Sequence, residues 1–229
     1  MRHTTLGLIV LAGLALLASD RLPYAADGAP VKQVAVDLSS PQGAIKSLCR
    51  AVDAQDGEAV LKVFYAADPG ERDLAKAFAD LILSGKKLGD AAREQFGSAG
   101  DTLGSGVLNQ AELARIDQAE LRENGDNATL IPIGQSRPLQ FHRTGEQWQL
   151  IVRDFANAQE NLPRQVALLK KVAGVFDDMA QNIDAGKINS SQEAEAAIQT
   201  KLANVMIRAA TQSSTKPILT PSTRPATRP

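Results

Sequence analysis

The sequence predicts an α+β fold: leading helices packed on an antiparallel sheet of about four strands, followed by a C-terminal helical hairpin. Apolar residues recur at helical spacing from Ala44 to Phe96 and again from Leu162 to Met206. Between them, from Ala128 to Val152, they alternate with polar residues around two tight-turn signals, Asn124-Gly125-Asp126 and Thr144-Gly145-Glu146.

The first helix is expected to start at Ser40-Pro41. The serine hydroxyl can accept a free amide of the first turn, and proline suits the first helical position. Ala44, Ile45, Leu48, Cys49 and Val52 then form one apolar stripe. Asp56 caps a short second helix whose Val60, Leu61 and Phe64 face inward and which Tyr65 closes. Asp68-Pro69 opens a third, with Leu74, Phe78, Leu81 and Ile82 as its stripe, continuing through Leu88 and Ala92 to Phe96 and stopping at Gly97. Gly85 and Gly89 each weaken its middle by about 1 kcal/mol relative to alanine, so the pattern allows a bend there.

Gly100, Gly104 and Gly106 punctuate a loop from Ser98 to Gln110. An anion-binding nest needs more than glycines. With no lysine after it and no strand before it, the loop reads as a mobile connector. Ile116 to Glu123 is strand-like. Ala128 to Ile133 follows, with Pro132 marking a strand end or an edge. Leu139 and Phe141 alternate with Gln140 and His142, and Trp148, Leu150 and Val152 alternate with Gln147, Gln149 and Arg153. Such alternation belongs to a meander with one buried face, and Ile151 hints that the second face is partly covered.

Leu162, Val166, Leu169, Val172, Phe176, Met179 and Ile183 form the stripe of a long helix ended by Gly186. Ser190 and Glu193 offer a capping box for the next. Its apolar face comprises Ala194, Ala197, Ile198, Leu202, Val205 and Met206. A short connection favours an antiparallel pair, docked in preference on the domain's own sheet rather than on a second copy. The tail from Ser213 to Pro229, with four prolines, is expected to be disordered.

The expected organisation is therefore a signal over 1–26, a flexible leader over 27–39, an α+β domain over 40–155, a hairpin over 156–212 and a tail over 213–229. The signal reading rests on the apolar run Leu6 to Ala18 behind Met1-Arg2-His3. That run is shorter than the roughly 20 residues a spanning helix needs. Removal is expected between Ala18 and Ala29, although no strict Ala-x-Ala triplet is present; retention as an N-terminal anchor is the alternative. The expected location is periplasmic or extracellular.

Composition excludes several function classes. Without residues 1–26, which carry Arg2, Arg21 and Asp20, there remain 23 basic and 25 acidic residues, a net charge of −2. Nucleic acid is not an expected partner, because phosphate binding is driven by clustered Lys and Arg. Cys49 is the only cysteine, so no internal disulfide forms. Beyond residue 26 the chain has one histidine (His142), one tryptophan (Trp148) and one tyrosine (Tyr65). Transition-metal sites draw on several His or Cys ligands, so no metal and no cofactor is expected.

A helix ending in Ala51-Val52-Asp53-Ala54-Gln55-Asp56, the hairpin around Gly125-Asp126-Asn127-Ala128-Thr129 and the hairpin Gly145-Glu146-Gln147-Trp148 are the local marks of a family likeness. Over roughly residues 40–155 the chain resembles the nuclear transport factor two-like superfamily. Two features lie outside its pattern: the length of the third helix and the helical pair after the sheet. The resemblance implies a sheet wrapped by helices around a pocket. It also implies one of many roles, among them small-molecule isomerases and dehydratases, polyketide cyclases and ligand-binding modules. Fold alone does not choose among these.

His142 is the candidate acid–base group, since imidazole titrates near neutrality, and Asp154 is its candidate orienting carboxylate. Tyr65 and Trp148 are candidate ligand-binding aromatics, although strand alternation already accounts for Trp148 as core. The basic groups Lys86-Lys87 and Arg137, Arg143 and Arg153 read as solvated, ion-paired side chains rather than an anion site. The function these observations favour is an exported, non-enzymatic binding or interaction protein of the cell envelope, taking a small apolar ligand or an envelope protein. Two alternatives stand beside it: an isomerase- or dehydratase-like enzyme using His142 and Asp154, and a structural homo-oligomer formed through the C-terminal helices.

Overall fold

A computed structural model describes residues 34–103, 115–133, 138–156 and 161–211. The apolar run Leu6–Ala18, the leader as far as residue 33, Gly104, Gly106, Arg137 and the tail from residue 212 lie outside the described residues. Helix α1 spans Pro41–Asp53, α2 Gly57–Val63 and α3 Pro69–Phe96. The strands are β1 (Phe64–Tyr65), β2 (Glu120–Asn124), β3 (Asn127–Ile131), β4 (Leu139–Thr144) and β5 (Gln147–Ile151). A four-residue helix α4 (Val152–Phe155) and the long helices α5 (Leu162–Asp184) and α6 (Ser191–Thr211) follow. The architecture is α+β, with helices before and after the sheet.

The helix starts follow from their caps. The amide of Gly43 donates to Ser40 Oγ at 3.0 Å, that of Ala59 to Asp56 Oδ1 at 3.0 Å, and that of Glu71 to Asp68 Oδ1 at 2.8 Å. At α6 the amide of Glu193 donates to Ser190 Oγ, while Glu193 reaches back to the amide of Asn189, one residue earlier than a standard capping box.

Five strands form the sheet, in the order β1-β5-β4-β3-β2. The strand beyond the four expected is β1, which pairs parallel to β5 with Phe64 opposite Leu150 and Tyr65 opposite Ile151. Tyr65 therefore does not close α2. The helix stops at Val63, and Phe64 turns extended because the edge of β5 supplies pairing partners. Two residues are too few to show a period of two in the sequence. The expected strand at Ile116–Glu123 also moves: residues 115–117 make a helical turn that buries Ile116, and β2 starts at Glu120. Val152 leaves β5 to open α4, still buried.

One face of the sheet carries Phe64, Ala128, Leu130, Phe141, Trp148 and Leu150, all buried against α1, α2, α4 and the first half of α3. Each large apolar side chain removed from water here contributes roughly 1.5–3 kcal/mol. Residues 34–39, within the span expected as a flexible leader, are held to this core. The amide of Val34 donates to Asp56 Oδ2 at 3.1 Å, and that of Trp148 to the Leu38 carbonyl at 2.7 Å.

A second core lies beyond the sheet. Leu88, Ala91 and Ala92 of α3 meet Met179, Ala180 and Ile183 of α5, together with Ile188 and with Ala194 and Ile198 of α6. The α5 stripe thus serves both cores: Leu162, Val166 and Leu169 pack on the first, Phe176, Met179 and Ile183 on the second. The hairpin docks in cis, but along α3 and not on the sheet where it was expected. Packing against α5 also explains why α3 continues through its glycines. At Gly85 the missing side chain faces Phe176, whose Cδ2 would stand 3.9 Å from a Cβ there, and tertiary contact outweighs the weak propensity.

The Asp56 cap is expected to be the costliest of these helix starts to remove, because one carboxylate holds both α2 and the segment before α1. Asp56→Ala should lower stability by about 1–2 kcal/mol, read from the urea midpoint. The amides of Ala59 and, next, Val34 hold this carboxyl below its ordinary value of 3.8. A depressed folded-state value means that its contribution is complete above 3.8 and is lost as pH falls through that value and below it. Wild type should therefore lose more stability on that acid limb than Asp56→Ala, in melts compared across it.

Candidate functional site

The strand register sorts the sequence-predicted residues onto two faces. His142 lies opposite Gln149, and Arg143 opposite Trp148. Trp148 thus points into the core with 5% of its surface exposed, and the Arg143 guanidinium stands 5.1 Å from its ring centroid. His142 lies on the other, outer face. The two residues cannot line one pocket, because the sheet separates them.

Tyr65 is brought to His142 from the edge of the sheet. Their ring centroids are 4.2 Å apart and tilted by 45°. The other side of the imidazole meets Asn127, with Nδ1 3.4 Å from Oδ1, a long contact that leaves the ring loosely held. Around this pair the outer face carries Gln140 hydrogen-bonded to Thr129 at 2.8 Å, and Gln149, whose amide donates at 2.9 Å to the Lys62 carbonyl at the end of α2. Ile131 and Ile151 add half-buried apolar surface. Across β3, β4, β5 and β1 this face bears no side chain with a permanent charge. Glu120 and Arg122 on the β2 edge pair with each other at 2.7 Å.

Asp154 is exposed in α4, five residues beyond the position opposite His142, where α4 adjoins β4. The ring contacts of His142 with Tyr65 and Asn127 are those of a surface histidine on a polar platform. A nucleophile–base pair would instead place a hydroxyl or thiol on one ring nitrogen and a carboxylate on the other.

Among the described residues, the cationic candidates have ion-pair partners. Lys86 holds Asp90 at 2.5 Å, Lys87 lies 3.7 Å from Asp177, Arg143 contacts Asp126 at 3.1 Å and Arg153 contacts Glu71 at 2.8 Å. Glu71, only 7% exposed, also accepts the amide of Ala67 at 2.7 Å. This buried acid ties the start of α3 to α4. The sequence signal for it was the capping spacing Asp68–Glu71. Gly100, one of the loop glycines, is buried against α3, and a Cβ on it would fall 2.1 Å from the Ala92 carbonyl oxygen. Close backbone approach, not an anion nest, explains that glycine. Among the described residues no group of three or more His, Cys, Asp or Glu is placed to hold a metal ion. No described helix is long and apolar enough to cross a membrane.

One surface feature escaped the sequence reading. A groove of about 550 Å3 runs between α2 and α3, lined by Gln55, Asp56, Gly57, Glu58, Leu61, Lys76, Ala79, Asp80 and Leu83. Leu61, expected to face inward, is half-buried in its lining. Lys76, Ala79, Asp80 and Leu83 are spaced i, i+3, i+4, i+7, so they share a face of α3 beside the core stripe. At the Gln55 end, the Gln55 side-chain amide donates to Asp90 at 3.4 Å. Nearby, desolvation raises the carboxyl of Asp53 above its ordinary value, opposed by Lys86 and assisted by Asp90.

Comparison with family models, with curated proteins and with solved structures returns no match to this chain.

Proposed function

We propose that this chain is an exported, non-enzymatic binding protein of the cell envelope, which receives a partner protein on the outer face of its sheet. The observation that carries the reading is the uncharged platform of Tyr65, His142, Gln140, Gln149 and Thr129 on four adjoining strands. A half-buried polar and aromatic surface suits a partner that lies across it, because amides and rings tolerate desolvation better than unpaired charges do. Export is supported by the Leu6–Ala18 run behind a basic start. Engulfment of a small apolar ligand has less support. The sheet's apolar face is packed against α1 and α2, and the groove beside them is rimmed by charge.

Two measurements test this. Fractionation with N-terminal sequencing should find the chain outside the cytoplasm, starting between Ala18 and Ala29. A photo-crosslinking residue at Gln147 or Gln140 should trap one adduct of defined mass in intact cells, while the same residue at Lys170 on α5 traps none. A cytoplasmic chain, or equal trapping at Lys170, would reject the proposal.

A second reading, an isomerase- or dehydratase-like enzyme within the nuclear transport factor two-like superfamily, is favoured by the contact of Tyr65 with His142. On that reading His142 works on the open face without Trp148. A turnover that survives His142→Ala unchanged would remove it. The homo-oligomer reading draws on Ile207, 62% exposed on α6 beside half-buried Leu202, Val205 and Met206. A monomer in light scattering at high concentration would dispose of it.

A further inference from the structure

The groove between α2 and α3 has an apolar floor and an acidic rim. Leu61, Ala79 and Leu83 make the floor; Glu58 and Asp80 are exposed above it, and Lys76 stands at the end nearest the start of α3. The segment of this chain that follows α6 has the complementary chemistry. No Asp or Glu occurs after Glu195, and residues 212–229 carry Lys216, Arg224 and Arg228. Their one apolar pair is Ile218-Leu219, with Pro217 before it and Pro221 shortly after. Prolines at this density favour an extended chain that loses little entropy on docking.

Geometry places the origin of that segment at the right end of the molecule. Arg164 Nη2 donates to the Ala209 carbonyl at 2.9 Å, so the last turn of α6 lies beside the first turn of α5. Leu162 of that turn packs on Gly70, its Cδ1 3.4 Å from where a Cβ on the glycine would stand. The end of α6 is therefore close to the start of α3. Along α3, Lys76 lies about 9 Å and Leu83 about 20 Å beyond Gly70, at 1.5 Å per residue. Ile218 is seven residues past Thr211 and reaches up to about 25 Å from it. An extended segment can then set Ile218 and Leu219 over Leu61 and Ala79, and bring Arg224 to Glu58 and Asp80.

We propose that residues 212–229 dock in cis in the α2–α3 groove, with Ile218-Leu219 on its apolar floor and the basic side chains on its acidic rim. Tethering supplies an effective concentration on the order of millimolar, so weak contacts are enough. The rim is solvent-exposed, so salt should loosen the contact.

The test compares amide spectra of the full chain with those of a full-length Ile218→Ser/Leu219→Ser variant, which alters nothing in either core. Resonances of Leu61, Ala79, Asp80 and Leu83 should differ between the two. High salt should move the wild-type positions toward the variant, and Glu58→Lys/Asp80→Lys should do the same for the remaining groove amides. Identical groove resonances, or differences confined to another surface, would overturn the proposal. Differences that grow with protein concentration would place the segment of a second copy in the groove, and so overturn docking in cis. The outer sheet face is not involved, so its binding role stands or falls separately.

Discussion

Phe141→Ala is expected to lower stability by about 3–5 kcal/mol, whereas His142→Ala, the next residue, should cost about 1 kcal/mol or less. Phe141 is fully buried on the core face, opposite both Ala128 and Leu150, where truncation leaves a cavity that neighbouring helices cannot readily collapse. His142 projects to the outer face, where it gives up its contacts with Tyr65 and Asn127. Urea unfolding with an unchanged slope would report both values. Equal losses at the two positions would mean that the outer face is as deeply covered as the core, and would remove the platform on which the binding proposal rests.

Ile183→Ala should cost about 2–5 kcal/mol, although this residue is remote in sequence from the sheet and touches only the second core. It also tests how the two cores are joined. Trp148 is the chain's only tryptophan and sits in the first core, so its fluorescence follows that core alone. Far-ultraviolet circular dichroism follows the helices of both. Because α3 and α5 each run through both cores, the two signals are expected to shift together by the same amount in the variant. Loss of helix signal ahead of the fluorescence change would show that the distal core unfolds by itself. In the double variant with Phe141→Ala, the two losses should add within about 0.5 kcal/mol, since the residues share no partner.

Much of this fold was legible residue by residue. Ser40-Pro41 and Asp68-Pro69 announced two helix starts, because serine, aspartate and proline act on the first turn whatever surrounds it. The alternation from Ala128 to Leu150 announced the core face of β3, β4 and β5, because a pleated strand between helices and water leaves one choice of burial per position. β1 was not legible, since it exists only where α2 ends against the edge of β5. Nor was the continuity of α3 through Gly85 and Gly89, where the pattern allowed a bend, because α5 supplies packing that local propensity cannot register. The candidate site divided in the same way. His142 was visible as the one histidine beyond residue 26, and alternation correctly put Trp148 in the core. Tyr65, assigned to a helix, became its neighbour through a pairing across more than seventy residues.

The sequence by itself determined the long helices and β3 to β5, the apolar side of each, and how few reactive groups the chain carries. Those properties depend on short-range backbone geometry and on side-chain hydration, and both act within a few residues. Only the tertiary structure decided that α3 joins two cores, that Tyr65 meets His142 on an uncharged face, and that a groove with an acidic rim opens between α2 and α3. Each of these depends on the register and crossing of elements far apart in the chain, where many weak contacts settle the outcome together.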